Sequence, residues 1–400
     1  MNCTVQEILQ YVREEDVKFI RLAFCDIFGR QKNVSVMPQE LERAFDTGIA
    51  FDASAIRGFG GTVHSDLFLH PDSSTIAVLP WRPEHGRVVR MFCDITHPDG
   101  TPFENDTRSL LKRAIADAAE AGVSFRFGSE LEFYLFNTDE NGQPTRVPYD
   151  NAGYMDIAPD DRGENVRREI CLTLEQMGIS PESSHHEEGP GQNEVDFRYA
   201  DPLSAADNAV TFCSVVRNIA ARNGLFADFS PKPLPHTAGN GFHINFSARR
   251  NGEDVTPFVI AGILDHIRDL TVFLNPVEDS YARLGSFKAP RFVSWSKENR
   301  SPLIRVPAAE GEYRRAELRS PDPLANPYLA FALLIYAGLD GIACRLSLPE
   351  AADFDLFSAG ADITKRFPVL PAALAEAKAA AVAGFAAKHL PETVLREYCR

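Results

Sequence analysis

The sequence predicts an α+β chain with a small N-terminal unit and a larger unit of sheet and helix. Three observations predict it. Short apolar runs separated by turns fill residues 1 to about 95, a turn cluster follows, and beyond it amphipathic helices share the chain with strands whose polar faces repeat one chemistry. In the first unit Val17–Leu22, Ile76–Leu79 and Val88–Phe92 read as strands and Pro38–Asp46 as the one good helix, which suggests a small mixed sheet. His97-Pro98-Asp99-Gly100-Thr101-Pro102 is a turn cluster, and we take it as the boundary between units 1–97 and 103–400. Thr107–Ala121 has helical spacing, and the alanine-rich stretch Ala372–Ala387 reads as a plain helix.

Composition narrows the partners. Lys and Arg number 41 against 56 Asp and Glu, a formal net charge of −15, which repels phosphate backbones and anionic lipid surfaces. Neither nucleic acid nor membrane is an expected partner. The longest apolar run, Tyr328–Leu339, falls short of the roughly 20 residues a spanning helix needs. Met1–Glu7 has no basic start leading into an apolar stretch, so no export signal is expected. Seven scattered cysteines, from Cys3 to Cys399, form no C-x-x-C pair, which argues against a disulfide framework or a zinc site and for a cytoplasmic setting.

The chemistry lies on strand faces. In Val123–Phe136, alternation puts Phe125, Phe127, Leu131, Phe133 and Leu135 on one side and Glu130, Glu132 and Tyr134 on the other. Gln192–Tyr199 sets Glu194, Asp196 and Arg198 opposite Val195, Phe197 and Tyr199, with Glu187 across the Gly189-Pro190-Gly191 turn. Gly241–Ser247 alternates Phe242, Ile244 and Phe246 with His243, Asn245 and Ser247. Tyr313–Arg319 groups Arg315, Glu317 and Arg319, and Leu303–Pro307 presents Arg305. Any one of these patterns alone is ordinarily the wet side of a sheet. Together, five glutamates and one histidine make a hard, oxygen-rich set suited to two Mg²⁺ or Mn²⁺ ions rather than to zinc. Arg300, Arg305, Arg315 and Arg319 add the cationic forks that phosphoryl and carboxylate groups need.

Other templates are missing. The chain has no G-x-x-x-x-G-K-[ST] loop, no G-x-G-x-x-G opening a helix after a strand, and no G-x-S-x-G elbow. Gly58-Phe59-Gly60-Gly61 is a loop, and His185-His186-Glu187 lacks the helical spacing of zinc proteases.

At these residues the chain resembles a type I glutamine synthetase, from about Val17 to about Leu348. The resemblance rests on Phe51–Ile56, His64–Leu67, Gly128-Ser129-Glu130-Leu131-Glu132-Phe133, His185-His186-Glu187-Glu188-Gly189-Pro190-Gly191-Gln192-Asn193-Glu194, Gly239–His243, Asn299–Arg305 and Arg315–Pro323. It implies a β-grasp N-terminal domain and a catalytic domain with a curved antiparallel sheet. It further implies a ring-stacked homo-oligomer, a dodecamer in the family, whose sites are each completed by a neighbour's N-terminal domain.

Carried over by position, Glu132, Glu187 and Glu194 would hold one metal and Glu130, His243 and Glu317 the other. Arg319, Arg283 and the Gly239 backbone would take glutamate, and Arg300 and Arg305 the ATP phosphates. Asn245 and Ser247 would belong to the nucleotide side, and Asp52 with Asp66 would bind and deprotonate ammonium. The implied activity is a glutamate–ammonia ligase working through γ-glutamyl phosphate.

Three features depart from the family pattern. Ser286-Phe287-Lys288-Ala289-Pro290 puts Lys288 where the family has a loop glutamate, Phe357 stands where adenylylated relatives have tyrosine, and the chain is shorter after Ser247 and at its C-terminus. Lys288 favours a γ-glutamyl ligase for a larger amine, whereas Asp52 favours ammonia. A further alternative is a non-catalytic relative that binds glutamate or nucleotide and regulates a true synthetase, a reading the full metal set weakens, and a guanidino kinase would need neither Asp52 nor the His185–Gln192 stretch.

Overall fold

A computed structural model describes residues 4–82, 85–309, 311 and 314–400. Cys3 and the Tyr313 start of one expected strand lie outside them.

The chain opens with a helix that the apolar-run reading missed. Helix α1 (Val5–Glu14) starts at a capping box, in which Thr4 accepts from the Glu7 amide while the Glu7 carboxylate accepts from the Thr4 amide at 2.7 Å. Ile8 and Val12, one turn apart, are its buried face. Strands β1 (Val17–Cys25) and β2 (Gln31–Val36) follow, then the short helix α2 (Leu41–Asp46), β3 (Ile49–Asp52), β4 (Asp66–Pro71), β5 (Ala77–Val78) and β6 (Arg87–Thr96). They form one mixed sheet in the order β2-β1-β6-β4-β3, with β1 and β6 parallel and β5 beside β6.

After the His97–Pro102 turn come α3 (Thr107–Glu120), the long strand β7 (Val123–Thr138), β8 (Pro144–Pro148), α4 (Glu164–Gln176), β9 (Pro181–His186) and β10 (Gln192–Phe197). Tyr199, expected as the end of this last strand, lies beyond it. The chain continues through α5 (Pro202–Arg222), β11 (Leu225–Asp228), β12 (Phe242–Arg250), β13 (Glu253–Asp254), α6 (Thr256–Leu274), α7 (Glu278–Arg283), β14 (Trp295–Lys297), β15 (Ile304–Val306) and β16 (Ala316–Leu318). These strands build a ten-stranded, strongly curled sheet in the order β14-β15-β16-β12-β7-β10-β9, antiparallel except between β14 and β15. The remaining helices are α8 (Pro327–Ala343), α9 (Ala361–Thr364), α10 (Leu374–Ala383) and α11 (Glu392–Cys399). Among the described residues no helix is long and apolar enough to cross a membrane.

The expected single helix over Ala372–Ala387 is two pieces. It breaks at Gly384, where a Cβ would collide with Asp269, and Asp269 accepts the Phe385 amide at 3.0 Å to start a separate 3₁₀ turn. On the apolar side of the large sheet Phe127 stacks on Phe331 of α8 at 4.5 Å, and α8 is buried nearly all round. Helices α6 and α8 touch through Gly262 and Gly341, where a Cβ on either would strike the facing backbone.

Polar groups tie the two sheets together. Arg108, 3% exposed, donates to Asp72 (2.8 Å) and Asp94 (2.9 Å) of the first unit and to both oxygens of Asp207 on α5 (3.1 and 2.9 Å). The Ile27 carbonyl accepts from Asn326 and from the Tyr398 hydroxyl, each at 3.0 Å.

Candidate active site

Strand register decides which polar side chains meet, because residues directly opposite on antiparallel neighbours share a face. One row runs His185–Glu194–Glu132 across β9, β10 and β7. The next runs Asp196–Glu130–His243 across β10, β7 and β12. A third runs Arg305–Glu317–Asn245 across β15, β16 and β12. The rows floor a cavity of about 770 Å³, lined by the predicted residues Glu130, Glu132, Glu187, Glu194, Gly239, His243, Arg283, Lys288, Arg300, Arg305 and Arg319. Glu317, 2% exposed, forms one group with Glu130 and His243.

Within that group His243 Nδ1 lies 3.5 Å from Glu130 Oε2 and 3.7 Å from Glu317 Oε1, and Nε2 lies 3.9 Å from Glu132 Oε1. A second group joins Glu187 and Glu194 to His185, whose Nε2 is 3.0 Å from Glu187 Oε1. The sequence reading put Glu132 in that place. In the structure Glu132 Oε2 accepts from the Gly241 amide (2.8 Å) and from Gln192 (3.1 Å), while Glu132 still lines the cavity with Oε1 toward His243. A third group adds Asp196 to Glu130 and Glu194. His185 and Asp196 were not among the predicted ligands. The signal for Asp196 was its place two residues after Glu194 on the same face; that for His185 was a strand pairing the sequence does not print.

Burial, reinforced by Asp196, Glu132 and Glu130, pushes Glu194 well above the ordinary carboxylate range. Burial likewise raises Asp196, with Glu130 adding to it, and raises Glu132 against the pull of His243. A divalent cation among these oxygens would relieve the same repulsion, and a set of carboxylates with single imidazoles fits a hard ion. Glu317 differs. Although burial works against it, His243, Arg319 and Arg305 hold it down at about 2. Its oxygens accept from Arg305 Nη1 at 2.9 Å and Arg319 Nε at 3.1 Å.

Behind the metal-type groups the wall turns cationic. Arg283, 3% exposed, donates to the Ser320 carbonyl at 2.7 Å and packs against Gly239, where any Cβ would strike Arg283 and the Pro231 carbonyl. Lys288 pairs with Glu188, its Nζ 2.5 Å from Oε1 and 5.1 Å from the centre of the Tyr154 ring.

Besides the buried Glu317, four predicted residues stand outside the lining. Asn245 lies one layer behind, donating to Glu130 Oε1 at 2.7 Å and accepting from Arg315 at 3.0 Å. Ser247 follows it on β12 near Tyr199. Asp52 and Asp66 face each other across β3 and β4 in the first sheet and are solvent-exposed. Hydrogen bonds from Ser54, its amide at 2.9 Å, hold the Asp52 carboxylate below its usual range and hence ionised.

Fold and site together define an α+β protein whose curled sheet carries paired carboxylate–imidazole groups against an arginine wall. Residues 16–98 match the glutamine synthetase β-grasp domain and residues 104–400 the glutamine synthetase catalytic domain. A glutamine synthetase of Clostridium saccharobutylicum is 47% identical over 369 residues, 89% of this chain and 83% of that protein. One of Methanosarcina mazei is 47% identical over 371 residues, with the same coverage. Among solved structures, a GmaS/ADP complex superposes with a TM-score of 0.89 at 28% identity, covering 100% of this chain and 94% of the other. The chain belongs to the glutamine synthetase family.

Proposed function

We propose that the chain is a glutamate–ammonia ligase: the γ-carboxylate of glutamate attacks the γ-phosphate of ATP, and ammonia displaces phosphate from the resulting γ-glutamyl phosphate. One observation carries the reading. Glu130, His243 and Glu317 converge while Arg305 and Arg319 both bond to Glu317, so divalent-cation ligands and anion-binding forks share one buried carboxylate. Phosphoryl transfer between two anions rests on placing cations and cationic donors together in this way.

Glu130, His243 and Glu317 would hold one Mg²⁺ or Mn²⁺, and Glu187 and Glu194, with Glu132 and His185 beside them, a second. Bound there, the cations supply charge neutralisation at the phosphate oxygens. Arg300 and Arg305 grip the transferred phosphate. Arg283, Arg319 and the Gly239 main chain orient glutamate, and the absence of a Cβ at Gly239 leaves that main chain open to it. Asn245 positions Glu130 toward the nucleotide side, with Ser247 farther along the strand.

The ionised Asp52, with Asp66, is supplied to the cavity of a neighbouring copy, where it binds and deprotonates ammonium, in a ring-stacked homo-oligomer, a dodecamer by family likeness. Two exposed apolar features support that assembly: Val63 (76% exposed) just before Asp66, and Ile157 (78%) on the loop that also carries Tyr154 of the cavity wall. The chain divides into units 1–97 and 103–400 at the His97–Pro102 turn. A cytoplasmic setting suits the free thiols of Cys25, Cys93, Cys171, Cys213, Cys344 and Cys399.

A second reading, ligation of a larger amine, is favoured only by Lys288 standing at the cavity wall. Phosphate release from ATP by the purified protein tests both. Release is expected to require glutamate, ammonia and Mg²⁺ or Mn²⁺ together; release with an alkylamine but not with ammonia overturns the first reading, and release without glutamate overturns both.

A further inference from the structure

Where the first sheet meets the second, a separate cavity of about 630 Å³ shares no lining residue with the site above. Its walls are the Ser74–Ala77 turn with Arg90 and Phe92, the Met177–Ser180 connection, Arg126, Arg198 and the first turns of α5.

Arg90 sets its character. The residue is 6% exposed, its guanidinium lies 4.0 Å from the centre of the Phe92 ring, and Nη2 donates to Thr211 Oγ1 at 3.1 Å. A buried charge is normally paired, and a guanidinium offers five donors. Arg90 forms no ion pair with any described residue. The buried acid of the same wall, Asp207, is already engaged: Oδ1 accepts from Arg108 and from the Tyr328 hydroxyl, and Oδ2 from Arg108. Asp201 is engaged too, capping α5 through the Ser204 amide. Arg126 and Arg198, both exposed at this cavity, pair with no carboxylate among the described residues. Three guanidiniums against the two carboxylates of Asp201 and Asp207 leave this lining net positive in a chain whose net charge is −15.

We propose that this cavity is a second ligand site, for a small oxyanion carrying two or more negative charges, with Arg90 as its buried anchor and Arg126 and Arg198 as its outer forks. Guanidinium recognises phosphate and carboxylate alike, so phosphorylated compounds and polycarboxylates share the required chemistry.

Calorimetric titration of the full chain, freed of divalent ions by passage over a chelating resin, with pyrophosphate in one arm and citrate in the other, tests the assignment and separates the two sources. Saturable binding is expected in at least one arm. It should weaken about tenfold or more in Arg90→Met, equally in the surface double variant Arg126→Met/Arg198→Met, and remain unchanged in Arg305→Met of the catalytic cavity. The double variant decides the matter if Arg90→Met fails to fold. Absence of saturable binding in both arms overturns the proposal, as does binding lost in Arg305→Met while the double variant retains it.

Discussion

Lys288 and Glu188 form an ion pair 2.5 Å long across the mouth of the catalytic cavity, joining the loop after α7 to the turn between β9 and β10. Side-chain exposures of 51% and 31% place it in the class worth at most about 1 kcal/mol. The pair therefore positions a loop rather than holding the fold.

Lys288→Glu sets two carboxylates face to face at this point and should lower ammonia-dependent turnover by roughly fivefold, the equivalent of about 1 kcal/mol. Adding Glu188→Lys should restore most of it by recreating the pair with its charges exchanged. Steady-state phosphate release on the two single variants and the double variant measures the coupling. A double variant no better than Lys288→Glu sinks the positioning role, and a Lys288→Glu enzyme faster than the parent would show that the lysine impedes ammonia chemistry.

Glu317→Ala should abolish phosphate release, by roughly a hundredfold or more, since it removes a ligand and the partner of two arginines at once. It also leaves Arg319, 3% exposed, without its carboxylate, a change of the kind that costs about 3–5 kcal/mol. Thermal unfolding and turnover should thus fall together in this variant, whereas Glu317→Gln should recover stability much more than activity. Retained turnover in either variant contradicts the assignment.

Mg²⁺ or Mn²⁺ should raise the melting temperature of the metal-free chain, because ligands that bind only the folded state stabilise by mass action, about 2.7 kcal/mol at a hundredfold excess over Kd. Burial and neighbouring carboxylates raise Glu194, so the gain should be larger at pH 8 than at pH 5, where protons compete for the same oxygens. Glu194→Ala should reduce the gain. A melting temperature indifferent to both ions counts against the metal groups.

Asp106, the cap of α3, is 2% exposed, and burial lifts it to about 6 despite the Ser109 hydroxyl bonded to it. Between its unfolded value near 3.8 and about 6 the folded state binds the extra proton. This residue's contribution to stability therefore falls as pH rises through that window. Asp106→Asn keeps a cap acceptor and removes the titration. At pH 7 it should stabilise the chain relative to the parent by something on the order of 1–2 kcal/mol, and at pH 3.5 by much less. Denaturant midpoints at the two pH values check it, and equal shifts at both would refute the account.

Period-two alternation made the faces of the large sheet readable, since Glu130 and Glu132, or His243 and Asn245, must share a side whatever the strand pairs with. It did not give the pairing. Which carboxylates form one group depends on the register between β9, β10 and β7, and that register brought His185 and Asp196 in while Gln192 and Gly241 bound one oxygen of Glu132. Local signals overlooked in the apolar-run reading were nevertheless present: Thr4-Val5-Gln6-Glu7 spells a helix start, and Gly384 interrupts an otherwise uniform alanine tract. The Arg108 links to Asp94, Asp72 and Asp207 reach across 14, 36 and 99 residues and left no local trace.

Those links, with Ile27 clasped by Asn326 and Tyr398, leave the first sheet little freedom to swing about its own catalytic sheet. Asp52 sits on that anchored sheet and outside its own chain's cavity. On the proposed roles, a solitary chain would own the grips for nucleotide and glutamate but carry its ammonium-side acid as an offering to someone else. Dilution alone should then extinguish turnover without unfolding anything, and equal mixtures of an Asp52→Ala chain with a Glu317→Ala chain should regain activity that neither parent shows.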